Sequence, residues 1–153
     1  MPSILINSLE EMDNFGKVLA RGLGQFPVQA IFMNGALGCG KTTLTRSLVL
    51  GLPGGELAEV GSPSFTICNY YPSNPTIVHC DLYREPHRIP EEIYENFDKP
   101  GVTCIIEWAS FMDQRLWPEE VLEIDFDIII PQRLLTLRAN GPKACALLEY
   151  VLS

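Results

Sequence analysis

The sequence predicts an α/β fold three layers deep, with a mainly parallel sheet and antiparallel additions at its C-terminal end. Three observations carry that prediction. A short apolar run, Val28 to Met33, leads through a glycine-rich stretch straight into a segment of helical periodicity, Lys41 to Leu50. Val102 to Ile106 is almost wholly apolar, as a parallel strand covered by helices on both faces must be. Leu122 to Ile130 and Leu134 to Ala139 read as neighbouring strands, so helix and strand signals alternate early and turn strand-rich late.

The elements follow in order. Ser8-Leu9-Glu10-Glu11 has the S-x-x-E form of a capping box, and Met12, Phe15, Leu19 and Leu23 then recur on one helical face until Gly22 and Gly24 interrupt. The strand from Val28 ends at Asn34-Gly35, and the helix from Lys41 closes on Gly51. After the turn-rich Pro53-Gly54-Gly55 come two β-branched or aromatic strands, Phe65 to Tyr71 and Thr76 to Cys80. A helix from Pro90 to Phe97 is expected next, with Pro90 at its first helical position. The buried strand from Val102 stops abruptly at Glu107, which places a carboxylate at its C-terminal edge. Leu122, Ile124, Phe126, Ile128 and Ile130 then alternate with Glu123, Asp125, Asp127 and Ile129, Pro131-Gln132 makes a turn, and the chain returns as a hairpin at the sheet edge. Its acidic stripe reads as the solvated face of an edge strand, which discourages edge pairing. A short helix from Ala144 to Leu152 is expected to pack back on the sheet.

Composition bounds the function. At 153 residues, 46% of them hydrophobic, residues 1–153 are expected to form one domain. A net charge of −8 leaves no broad basic surface to neutralise a nucleic-acid backbone, so neither DNA binding nor tight unaided tRNA binding is expected. No apolar stretch approaches the roughly 20 residues that span a bilayer, and Met1-Pro2-Ser3-Ile4 lacks the regions of a signal peptide. A cytoplasmic protein with no membrane partner is expected. Cysteines at 39, 68, 80, 104 and 145 are odd in number and include no C-x-x-C pair, so neither a disulfide framework nor a zinc site is predicted. They read as small buried hydrophobes. Cys39 differs in lying at a helix N-terminus, where a thiol pKa can fall, although a small side chain is all its loop requires.

The chemistry begins at Gly35-Ala36-Leu37-Gly38-Cys39-Gly40-Lys41-Thr42, a full match to G-x-x-x-x-G-K-[ST] placed between a strand and a helix. Glycines let the backbone curl so that successive N–H groups face an anion, and the following helix adds its positive end. Lys41 reaches the β and γ phosphates, and the Thr42 hydroxyl ligates magnesium. Gly35, Leu37, Gly38, Cys39, Gly40, Lys41, Thr42 and Thr43 are thus the expected ATP-binding segment of a P-loop nucleotidase with Mg2+. The loop by itself does not identify a reaction. Catalysis needs carboxylates near the metal, and Asp81 and Glu107 both stand at strand ends where ligands of open α/β sheets gather. One is expected to hold magnesium and the other to orient the attacking water, and the pattern leaves open which does which. His79, with no second ligand, reads as a hydrogen-bonded structural residue. Tyr83 and Arg84 suit either a packed ring with a surface arginine or a partner contact, and Trp108 either a ligand contact or core packing.

Four segments, in this order and spacing, carry a resemblance: the loop with Thr42-Thr43, Ser62-Pro63-Ser64-Phe65-Thr66, His79-Cys80-Asp81-Leu82-Tyr83-Arg84, and Ile106-Glu107-Trp108. Over nearly the whole chain they resemble the bacterial TsaE (YjeE) family of tRNA threonylcarbamoyladenosine biosynthesis ATPases. The resemblance implies a switch-like loop near the γ phosphate at Ser62, Pro63 and Ser64, with Ser64 where threonine is usual. It implies that Asp81 and Glu107 both lie in the magnesium shell, Glu107 the more direct ligand. Met12 stands where the family carries a threonine, and Ala109 where a proline is frequent. The implied partners are TsaD and TsaB, with tRNA reached through their complex and hydrolysis slow in the isolated protein.

Two other functions compete. A small-metabolite kinase needs an acceptor region and an arginine-rich lid, and the arginines and lysines here show no such cluster. A nucleotide-gated binding module would use ATP to order Ser62 to Thr66, with turnover incidental.

Overall fold

The computed structural model describes residues 1–61, 68–84 and 87–153. A single sheet of seven strands runs in the order β1-β7-β6-β2-β5-β4-β3, formed by β1 (Ser3–Ile6), β2 (Ala30–Asn34), β3 (Cys68–Tyr71), β4 (Thr76–Asp81), β5 (Val102–Glu107), β6 (Val121–Ile129) and β7 (Gln132–Asn140). The four central strands, β6, β2, β5 and β4, pair in parallel, and β7, β1 and β3 add antiparallel pairings on the two sides. The predicted α/β class therefore holds, with a further antiparallel strand at the edge remote from the C-terminal hairpin.

Alternation along the strands explains the layers. In β2, Ile31 and Met33 face one core while Ala30 and Phe32 face the other, and in β5 Ile105 and Ile106 divide the same way. Helices α1 (Leu9–Gln25), α2 (Lys41–Leu50) and α4 (Pro142–Leu152) cover the first face through Leu19, Leu48 and Leu147. Helix α3 (Glu91–Phe97) covers the second through Ile93 and Phe97. Each fully buried large apolar side chain contributes about 1.5–3 kcal/mol, which is why both faces of the apolar β5 must be roofed.

Helix α1 begins as its capping box predicts, with the Glu11 N–H donating to Ser8 Oγ at 3.1 Å. The Glu11 carboxylate reaches back to the Asn7 N–H at 2.7 Å, one residue before the cap. Gly22 and Gly24 do not interrupt the helix, which runs on to Gln25. A Cβ on Gly22 would stand 2.6 Å from Leu147 Cδ1 and 2.9 Å from Tyr150 Cδ1, so that glycine admits α4 rather than breaking α1. Pro90 occupies the N-cap of α3 with extended dihedrals, φ −61° and ψ 138°, not the first helical turn.

Three further expectations change. Strand β1 was not legible because it has four residues and buries only Ile6 fully. The late hairpin forms with its turn at Ile130-Pro131, but β6 lies inside the sheet against β2, and β1 covers β7. Glu123 and Asp125 are consequently no solvated stripe: Arg138, opposite Glu123 on β7, approaches them at 3.3 and 2.7 Å, and Asp127 alone of the three is exposed. Finally, Cys68 and Cys80 face each other in the β3–β4 register with Cα atoms 4.1 Å apart and are joined in a disulfide. Strand register, not C-x-x-C spacing, brings them together. Of the remaining thiols, Cys39 and Cys104 are buried as expected and Cys145 is exposed. Among the described residues no helix is long and apolar enough to cross a membrane.

Candidate active site

At the C-terminal edge of the parallel strands the chain leaves β2 at Asn34 and enters α2 at Lys41 through the glycine loop. Gly40 caps α2 at φ 114°, a left-handed conformation that a side chain disfavours. Gly35 meets a close neighbour, since a Cβ there would come within 2.9 Å of the Phe126 carbonyl oxygen. Among the described residues no side chain caps α2 by a hydrogen bond, and no acidic residue stands in its first turn, so the positive end of the helix opens towards the loop.

Lys41 is 5% exposed, and its ammonium is held by the loop itself. Nζ donates to the Gly35 carbonyl at 2.5 Å and to the Ala36 carbonyl at 3.1 Å, and it lies 5.1 Å from the Trp108 ring centroid. Cys39 Sγ is 3.7 Å away. Trp108 adopts φ 61° and ψ 38°, the one non-glycine residue with positive φ among the described residues. A side chain held in that sparsely populated region costs about 1–3 kcal/mol and is over-determined by its surroundings. Here its backbone N–H donates to the Met33 carbonyl at 3.2 Å, and its ring lies 5.0 and 5.8 Å from those of Tyr83 and Phe111, centroid to centroid. Thus Trp108 packs, as does Tyr83, and it also roofs the lysine.

Register sets the two acids side by side. Asp81, the last residue of β4, is the partner of Glu107, the last of β5. Asp81 is half-buried and accepts the Tyr83 N–H at 2.9 Å. Burial, and secondarily the adjacent Glu107 carboxylate, push its carboxyl above the ordinary range, against the Tyr83 hydrogen bond and the pull of the neighbouring His79 and Lys41. Glu107 is buried, and its Oε2 lies 2.5 Å from His79 Nε2. His79 is therefore the hydrogen-bonded residue expected of a lone histidine.

A cavity of about 210 Å³ gathers Leu37, Gly38, Gly40, Lys41, Thr42, Thr43, Asp81 and Glu107. Of the predicted residues among those described, it excludes Gly35, whose carbonyl serves Lys41, and Cys39, which lines a second cavity. Ser62, Pro63 and Ser64 lie outside the described residues. That second cavity, of about 230 Å³, shares Gly38, Gly40 and Thr43 and extends over Ser8, Met12 and Arg133. The sequence reading missed it because it joins the start of α1 to the turn of the hairpin, more than a hundred residues apart. Among the described residues no group of three or more His, Cys, Asp or Glu is placed to hold a metal by itself.

Comparison with known proteins agrees in fold and extent. The family described as "Threonylcarbamoyl adenosine biosynthesis protein TsaE" matches residues 6–133. A tRNA threonylcarbamoyladenosine biosynthesis protein TsaE of Rickettsia felis is 31% identical over 152 residues, covering 97% of this chain and 85% of that protein. One of Haemophilus influenzae is 31% identical over 135 residues, covering 84% of each. The crystal structure of YdiB from Bacillus subtilis superposes with a TM-score of 0.77 at 26% identity, over 99% of this chain and 93% of that one.

Proposed function

Because this chain belongs to the TsaE family of threonylcarbamoyl adenosine biosynthesis proteins, we propose that within that pathway it is the ATP-binding and ATP-hydrolysing component, acting on the TsaD and TsaB proteins. One observation carries the reading: a glycine loop with a buried lysine and two strand-end carboxylates opens on a single cavity. Residues 1–153 are read as one P-loop ATPase domain working in the cytoplasm, with tRNA reached through the partners.

The residues fit both parts of a magnesium–nucleotide complex. For the polyphosphate there is a helix N-terminus with no side-chain cap and a lysine whose ammonium is held by two loop carbonyls, beside Cys39 Sγ and the Trp108 ring. For the cation, Thr42, Asp81 and Glu107, whose side chains carry hard oxygen donors, line the same cavity. A small protein donor set suits magnesium, which keeps waters and takes oxygens from the substrate phosphates. Bound there, the ion would neutralise charge on the transferring phosphoryl group. Lys41 would bind the β and γ phosphates, Glu107 and Thr42 would hold the metal, and Asp81 would orient the water or share the metal shell. The nucleoside would then extend towards the second cavity, which Met12 and Arg133 line.

The test is ATP hydrolysis by the protein alone and with TsaD and TsaB. Slow turnover that rises with the partners is expected, and no hydrolysis in either condition overturns the reading. Complex assembly supported equally by ATP and a nonhydrolysable analogue, with no turnover, would establish a nucleotide-gated binding module instead.

A further inference from the structure

His79 lies two residues before Asp81 on β4, so both side chains leave the same face of the sheet, the face on which Glu107 stands next to Asp81. It has no solvent exposure, and Glu107 is 3% exposed. A carboxylate so buried must be met by donors, and the described side chains offer Glu107 one hydrogen bond, from His79 Nε2 to Oε2 at 2.5 Å. An ionised carboxylate only accepts hydrogen bonds, so the ring nitrogen facing it is the one that carries the proton. The other ring nitrogen, Nδ1, is buried with no hydrogen-bond partner among the described residues. A histidine that leaves one nitrogen unsatisfied in the core does not optimise packing. Its contact with Glu107 is what the position secures.

We propose that His79 is a positioning residue that engages one oxygen of Glu107, so the carboxylate offers a single oxygen, Oε1, to the cavity that Lys41, Thr42 and Asp81 also line. The proposal rests on the magnesium–ATP reading above. Its chemical consequence is cation selectivity. Magnesium demands six nearly octahedral oxygens, a geometry that the narrow bite of a bidentate carboxylate distorts, whereas calcium accepts bidentate carboxylates within a shell of six to eight. Holding Oε2 on His79 denies Glu107 the bidentate mode and favours magnesium.

Two amide substitutions separate positioning from packing. The Gln amide nitrogen of His79→Gln extends about as far as Nε2 and keeps the donor, while that of His79→Asn stops near Nδ1 and cannot reach Glu107. Both bury an amide of similar cost. The measurement is the affinity of a fluorescent ATP analogue in magnesium and in calcium, with thermal melting of each variant recorded alongside. Wild type binds better in magnesium. His79→Gln restores that preference to within about threefold, and His79→Asn loses it by about 10–100-fold, the range expected when a residue orienting a metal ligand is removed. Equal effects of the two variants, or a fall in affinity that leaves the magnesium-to-calcium ratio unchanged, overturn the positioning role. A wild-type affinity that ignores magnesium altogether overturns the metal reading and this proposal with it.

Discussion

Asp81 and Glu107 are register partners on adjacent parallel strands, yet the structure treats them differently. Asp81 is half-buried and takes a backbone N–H, while Glu107 is buried against His79. The acid fixed more rigidly is suited to hold an ion, and the more open one to meet water. We expect Glu107→Gln to weaken the Mg-ATP complex and turnover together. Asp81→Asn should slow turnover by about 10²-fold or more with little change in binding. Titration of nucleotide affinity beside single-turnover hydrolysis, with TsaD and TsaB present, distinguishes the two. Wild-type behaviour of both variants would mean that neither acid is catalytic.

Lys41 has a structural role that its motif does not disclose. An exposed loop lysine could be removed at no cost, but this one is buried and satisfies the Gly35 and Ala36 carbonyls. Lys41→Ala should therefore abolish most nucleotide binding and also lower stability by about 0.5–1.5 kcal/mol, the net worth of a hydrogen bond to a part-buried loop carbonyl, since the Ala36 carbonyl keeps the Cys39 N–H as a second donor. Denaturant unfolding without nucleotide measures the second effect. An unchanged midpoint would show that the two hydrogen bonds contribute nothing.

What was legible in the sequence was whatever is written in consecutive residues. The glycine loop, the Ser8 cap, the apolar β5 and its terminal Glu107 are local patterns, and all four stand where the pattern placed them. What stayed hidden depends on register and on partners distant along the chain. Arg138 pairs with Glu123 and Asp125 only because β7 folds back beside β6, and Cys68 meets Cys80 only because β3 pairs with β4 in that alignment. The second cavity needs Met12 and Arg133 together. Likewise His79 was readable as hydrogen-bonded, but its partner was not, because the contact runs diagonally between strands whose register the sequence leaves open.

The cysteines should differ in reactivity by place rather than type. Cys145 is exposed, and burial pushes the Cys104 thiol up to about 12. Native protein treated with iodoacetamide at pH 8 should be modified at Cys145, with Cys104 and Cys39 protected until denaturant is added, as peptide mass mapping will show. The raised Cys104 pKa also fixes a sign. Below the ordinary thiol value of 9.0 both states are protonated and the contribution is fully present; as pH rises from there towards about 12 the unfolded chain loses the proton first and stability falls. The stability gap between wild type and Cys104→Ala should therefore narrow over that interval. A gap constant across it would contradict the raised value.

Helix α1 offers a last test in which one substitution type changes sign within a single element. By propensity alone, replacing any interior helical glycine with alanine should stabilise by about 0.5–1 kcal/mol, because glycine loses more backbone entropy on folding. Gly24 meets that expectation: it is exposed, and a Cβ there finds nothing within 4 Å. Gly16 does not, because it is buried where α1 crosses α2. A Cβ on it would collide with Ser47 Cβ and come within 3.1 Å of the Leu48 backbone nitrogen, atoms that cannot swing aside as the end of a flexible side chain would. Accommodating the methyl requires the helices to separate. Moving α2 also moves Lys41 and Thr42 at its start, so packing error passes directly into the site. Gly24→Ala should raise the unfolding midpoint and leave nucleotide affinity unchanged. Gly16→Ala should lower stability by about 1–3 kcal/mol, typical of overpacking, and weaken nucleotide binding although it touches no ligand. Stabilisation by both substitutions would mean that the α1–α2 contact is looser than the structure shows, and that Gly16 is present for no packing reason.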